Sequence, residues 1–199
     1  MKWKIQLSTF FKKGLPKLDD HFGVCFFCGR QGSGKNYSAV KFLAEQKRRS
    51  KIFTNVHSLK LEHVPFSTID ELYTNIEENC IFLIDEVSKK YDRNSRTDTQ
   101  FYAWLNQSRK RKRIVILITQ EWRELPMWLR RPAKIMVSTK KIPLLSKFGI
   151  YNTTVSDAEN MVFNKDEGEY ECPPIRHTIY KRNWKIAQLY DTFEPINRL

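Results

Sequence analysis

The run Gly29-Arg30-Gln31-Gly32-Ser33-Gly34-Lys35-Asn36-Tyr37 places glycines and a lysine at the spacing G-x-x-x-x-G-K. Glycines let successive backbone N–H groups converge on phosphate oxygens, and a lysine here reaches the β- and γ-phosphates of a nucleotide. The chemistry to expect is polyphosphate binding, with ATP as the ligand. The next position usually carries a hydroxyl that touches Mg²⁺, but here it is Asn36, whose amide oxygen could take the ion directly or through water. Further along, Asp85-Glu86 follow the apolar run Cys80-Ile81-Phe82-Leu83-Ile84. Asp85 would hold the magnesium shell, and Glu86 would orient and activate the attacking water, because phosphoryl transfer is mostly positioning and electrostatics. Gln120 ends a third apolar run, Ile114–Thr119, where its amide could sense the γ-phosphate or hold the water.

Basic side chains follow the same chemistry. Arg109, Arg111, Arg130 and Arg131 are candidates to reach a neighbouring subunit's nucleotide. Lys89, Lys90, Arg93 and Arg96 in the loop after Glu86, with Lys110, Lys112 and Arg113, are candidates for DNA phosphates. The residue types alone do not divide these roles. Cys25 and Cys28 form C-x-x-C, yet they flank Phe26-Phe27 in an apolar run, where positions three apart on a strand point to opposite faces. Core cysteines, not a metal site, are expected.

These groups work only if elements of structure bring them together. His21–Cys28 reads as a buried parallel strand, and Asn36–Arg49 as a helix with Val40, Leu43 and Ala44 inward and a basic end. Lys51–Val56 reads as a second strand. Thr68-x-x-Glu71 predicts a capped helix with Ile69, Leu72, Tyr73 and Ile76 on one face, and Thr97-x-x-Gln100 a second with Phe101, Trp104 and Leu105 inward. Cys80–Ile84, Ile114–Thr119 and Ala133–Ser138 read as further strands, and Met161–Phe163 with His177–Tyr180 as a hairpin. Strands alternating with helices predict an α/β fold: a mainly parallel central sheet flanked by helices, with a small C-terminal β extension. The organisation expected is a basic arm over 1–20, a core over 21–140 and the extension over 141–199.

Composition bounds the rest. A chain of 199 residues, 41% hydrophobic with 7 Gly and 8 Pro, is long enough for a real core and is neither collagen-like nor low-complexity. No apolar stretch approaches the roughly 20 residues of a membrane span, and the start lacks the apolar region of a secretion signal, so a cytoplasmic location is expected. The net charge is +13, and residues 101–150 hold 12 basic against 2 acidic side chains. So concentrated an excess points to a polyanionic partner.

Gly29–Tyr37, Thr54-Asn55, Ile84-Asp85-Glu86, Ile118-Thr119-Gln120 with Arg130, and Leu189-Tyr190-Asp191-Thr192 together resemble the FtsK/HerA-type P-loop ATPases of viruses. Within these, the chain is similar to the zonula occludens toxin and filamentous-phage assembly ATPases, and to small viral genome-packaging ATPases. The resemblance covers about residues 20–140 and the Tyr-Asp-Thr tail. It implies an additional-strand, catalytic-glutamate ATPase core that binds ATP and Mg²⁺, a homo-oligomeric ring (hexamer or pentamer), and DNA drawn through its pore. A capsid vertex or a membrane-associated viral protein would be the further partner. Phage assembly ATPases of this type normally continue into a membrane segment, so the resemblance leads first to packaging. Assembly or export through a membrane partner, and nucleotide-dependent DNA binding with little turnover, are the alternatives.

Overall fold

The computed structural model describes residues 22–45, 50–142 and 148–191. The arm expected over 1–20, the Lys47-Arg48-Arg49 helix end and Thr192 lie outside these residues.

Apolar runs without a polar face become central strands because both of their faces are covered. Every position of β1 (Gly23–Cys28), β2 (Ile52–Thr54), β4 (Ile81–Ile84) and β5 (Ile114–Thr119) is buried. Their neighbours are β3 (Val64–Pro65), β6 (Ala133–Lys141), β7 (Ile150–Asp157) and β10 (Pro174–Lys181). Together they form one eight-stranded sheet in the order β10-β7-β6-β1-β5-β4-β2-β3, parallel from β3 to β6 and antiparallel through β7 and β10. The sheet is thus the mainly parallel one expected, and β5 is inserted between β1 and β4. The expected core and extension share this sheet.

Helix α1 (Lys35–Glu45) covers one face, packing Val40 and Leu43 against Cys25, Phe27 and Ile116. On the other face α3 (Thr99–Gln107) packs Phe101, Trp104 and Leu105 against Phe26, Phe82 and Leu117. Cys25 and Cys28 therefore belong to opposite layers, and burial pushes the Cys25 thiol up to about 12 and raises that of Cys28 as well. No metal-holding cluster of three or more His, Cys, Asp or Glu occurs among the described residues.

Several local expectations are corrected. Helix α2 (Asp70–Tyr73) is a single turn, so Ile76 lies beyond it and is exposed. Glu71 still reaches back to the N–H groups of Ser67 and Thr68, at 3.0 and 2.9 Å. The cap of α3 is Asp98, which accepts from the Phe101 N–H, and not Thr97. Strand β6 runs three residues past Ser138. Met161–Phe163 does not pair with His177–Tyr180: β8 (Val162–Asn164) pairs with β9 (Glu169–Glu171), and β10 pairs with β7. The last two helices are the short turns α4 (Met127–Arg130) and α5 (Trp184–Ala187).

Candidate functional site

Parallel register brings the chemistry to one end of the sheet. Cys28 lies beside Thr119, Ile84 beside Leu117 and Thr54 beside Leu83, so residues 29–34, Gln120, Asp85-Glu86 and Asn55 all emerge at the strands' C-terminal ends. Open α/β sheets bind ligands there.

The loop from Gly29 to Gly34 leads from β1 directly into α1, whose first residue is Lys35. Gly34 has φ +93°, which strains any residue with a side chain, and a Cβ there would fall 3.0 Å from the Tyr151 ring, a tight contact. At Gly29 a Cβ would fall 2.5 Å from the Thr139 carbonyl oxygen. Arg30 and Gln31 are exposed, Ser33 and Lys35 are buried, and Ser33 Oγ has no partner among the described residues. Tyr37, expected among the nucleotide contacts, turns its side chain to the C-terminal strands, which leaves its backbone N–H in the first turn of α1 as the group nearest the loop. Its hydroxyl accepts the Asn183 N–H at 2.7 Å and its ring stacks on Tyr180. In the first turn of α1 successive side chains leave in different directions.

Asn36 meets the second motif. Its Nδ2 donates to Asp85 Oδ2 at 2.6 Å, while its Oδ1 is buried without a partner among the described residues. Asp85 Oδ1 accepts the Glu86 N–H at 2.8 Å. Burial pushes the Asp85 carboxyl up to about 6; the Glu86 N–H and Lys35 offset this in part. Asn55 clamps the Asp85 backbone, accepting its N–H at 2.8 Å and donating to its carbonyl at 3.1 Å. An orphaned amide oxygen beside a buried carboxylate is an all-oxygen donor pair that suits Mg²⁺. Asn36 and Asp85 would hold the ion.

Glu86 sits in the left-handed region at φ 53°, ψ 43°, an uncommon conformation for a residue with a side chain and one that clusters at functional sites. The turn it starts, Val87–Lys89, returns the Lys89 ammonium to Glu86 Oε2 as an ion pair. Gln120 is exposed, and its carbonyl accepts the Gly29 N–H at 3.2 Å. A cleft of about 930 Å³ opens at the loop, lined among others by Arg30, Gln31, Gln120, Lys140, Lys141 and His177. Gly29, Arg30, Gln31 and Ser33 of the loop line it, whereas Lys35, Asp85 and Glu86 do not.

The basic candidates separate. The run 109–113 lies at the opposite end of the sheet, because it precedes β5: the Arg113 carbonyl accepts from the Gly23 N–H, at the start of β1. The length of β5 puts it about 20 Å from the phosphate loop. Arg113 is wholly buried, donating to the carbonyls of Glu77 and Asn75 at 2.6 Å each and stacking over Phe82 and Trp104. It therefore has no face for DNA. Arg111 donates to the Ile76 carbonyl at 2.9 Å, whereas Arg109, Lys110 and Lys112 are exposed.

Arg130 is also buried, over Trp122 and 3.8 Å from Glu169, which removes it from reach of a neighbour. Its partner Arg131 is exposed. In the loop, Lys90 pairs with Asp70 at 3.0 Å and Arg93 with Glu169 at 2.7 Å, while Arg96 is exposed. Glu169, on the β8–β9 hairpin, thus bridges Arg93 and Arg130. Asn55, Glu169, Lys141 and Tyr151 were not among the candidates. Only the Thr-Asn pair ending β2 carried any sequence signal, since the others depend on long-range pairing.

A phosphate loop on β1, Asp-Glu on β4 and a polar strand end on the inserted β5 define a P-loop NTPase of the additional-strand type. The model of the zonular occludens toxin (Zot) family matches residues 23–183, and the chain belongs to that family. No curated protein matches it. Among solved structures, the N-terminal domain of zonular occludens toxin from Neisseria meningitidis is similar with a TM-score of 0.63 and 20% identity, covering 85% of this chain and 99% of that one. The genome packaging NTPase B204 from Sulfolobus turreted icosahedral virus 2, in complex with sulfate, is similar with a TM-score of 0.52 and 14% identity, covering 81% and 98%. At these identities the likeness is one of fold.

Proposed function

We propose that this chain is an ATPase that couples MgATP hydrolysis to movement of viral DNA, in phage assembly or export ahead of capsid packaging. The family match over residues 23–183 favours that order. The observation that carries turnover is the junction of Asn36, Asp85 and Glu86: two oxygen donors fit for a cation, with a second carboxylate one residue on. Lys35 and the loop N–H groups hold the β- and γ-phosphates, and Mg²⁺ when bound neutralises charge on them. Glu86, once free of Lys89, orients the attacking water, and Gln120 holds its other side. Arg131 is the residue we place against a neighbour's γ-phosphate in a ring. Exposed Arg96, Arg109, Lys110 and Lys112 supply DNA contacts.

The test is phosphate release and nucleotide binding by three proteins. Lys35→Ala loses ATP affinity, whereas Glu86→Gln binds ATP normally and turns it over at least about a hundredfold more slowly than wild type, the scale of a lost general base. Equal loss of binding in both variants contradicts these roles. The Lys89–Glu86 pair and Asn36 in the hydroxyl position favour a second reading, nucleotide-dependent DNA binding with little turnover. It holds if wild-type turnover does not exceed that of Glu86→Gln with DNA present.

A further inference from the structure

Strand β6 extends to Lys141, and its last residues pass along the phosphate loop. The Thr139 backbone carbonyl oxygen is 2.5 Å from the Cβ position of Gly29, and the Lys141 ammonium is 2.9 Å from that of Gly32. Across the β6–β7 pair, Lys141 is in register with Tyr151, whose ring lies against Gly34. One cross-strand pair therefore brackets the loop, with a cation on one glycine and an aromatic ring on the next.

The Lys141 side chain is exposed and has no carboxylate partner among the described residues, unlike Lys89, Lys90 and Arg93. It also lines the cleft beside the loop. No described carboxylate neutralises it, while the ligand expected a few ångströms away carries several negative charges. Gly32 keeps that approach open, because any side chain there would displace the ammonium.

We propose that Lys141 is a second phosphate-binding lysine of the nucleotide site, supplied by the end of β6. The proposal rests on the nucleotide reading above and deepens it. A flexible lysine reaching over the loop rim makes a charge-assisted hydrogen bond to a phosphate oxygen once nucleotide enters. The end of β6 and its partner β7 then belong to the binding site, and are not only a scaffold behind it.

The experiment measures equilibrium binding of ATP to the full chain by calorimetry, for wild type, Lys141→Gln, Lys141→Arg and Lys35→Ala. Expected are at least about tenfold weaker binding for Lys141→Gln, the scale of one charge-assisted hydrogen bond, and near wild-type affinity for Lys141→Arg. The melting temperature without nucleotide should be the same for wild type and Lys141→Gln, and the rise caused by ATP smaller for the variant. Wild-type affinity in Lys141→Gln alongside loss in Lys35→Ala overturns the role of Lys141 alone. Wild-type affinity in Lys35→Ala overturns the nucleotide reading and this proposal with it. A Lys141→Arg protein as weak as Lys141→Gln, or a lowered nucleotide-free melting temperature, overturns a charge role in favour of a structural one.

Discussion

Asp85 carries an energetic cost that its proposed role as a cation ligand would explain. The carboxyl is 4% exposed and pushed up to about 6 by burial, so above that pH the folded chain holds a desolvated charge that the unfolded chain would leave in water. An acid raised in the fold binds its proton more tightly there, so this group's contribution to stability falls as pH rises from about 4 through 6. Asp85→Asn should therefore be more stable than wild type at pH 7 by up to about 3 kcal/mol, with the difference closing near pH 4. The introduced amide has an acceptor ready, since an Asn36 flip turns its orphaned Oδ1 towards it. Thermal melts without metal or nucleotide check this. Equal melting temperatures at pH 7 would show that the protein already compensates the charge.

At the scale of elements, the turn between α3 and β5 shows how a basic run divides. Arg113 lies over both Phe82 and Trp104 and satisfies two carbonyls of the 75–77 segment, so it ties the approach to β4 against β5. Arg113→Ala leaves those carbonyls and a large hole in the layer, and should cost on the order of 3 kcal/mol. Denaturant unfolding measures it, and a loss under about 0.5 kcal/mol, the range of ordinary surface changes, would contradict the buried role. Glu169 plays the reverse part on the hairpin, since it neutralises Arg93 and the buried Arg130 at once. Two cations that looked available for a phosphate are thus held by one carboxylate.

For the molecule as a whole, the sheet separates two chemistries. The phosphate loop, Asn36, Asp85 and Glu86 occupy the C-terminal end of the parallel strands, and exposed Arg109, Lys110 and Lys112 occupy the other. If those three touch DNA, replacing all of them by Gln should flatten the dependence of log affinity on log salt by about 0.9 for each duplex phosphate that they neutralise. Basal ATP turnover should stay at the wild-type level, because the site lies about 20 Å away along β5. A fluorescence binding series at several salt concentrations decides it: an unchanged slope would remove this end of the sheet from the DNA surface. No helix among the described residues is long and apolar enough to cross a membrane.

Local chemistry made the phosphate loop legible. Glycine spacing, the lysine and the flanking apolar run are contiguous, as are Cys80–Glu86 and Ile114–Gln120, and continuous burial of β1, β4 and β5 follows from runs with no polar face. The alternation of these runs with helices also implied the parallel sheet. What contiguous residues could not decide is which charges remain free, because a cation's availability depends on its partner. Lys89 is paired by a turn, Arg93 and Arg130 by a hairpin from far along the chain, and Arg113 is taken up by two carbonyls and by burial over Phe82 and Trp104. Strand β7 alternates weakly, and its pairing with β6 arises only in the assembled sheet. The same pairing sets Lys141 and Tyr151 on the loop. Motif residues were readable because backbone geometry over a few positions dictates them, while their electrostatic surroundings form only when distant segments close on one another.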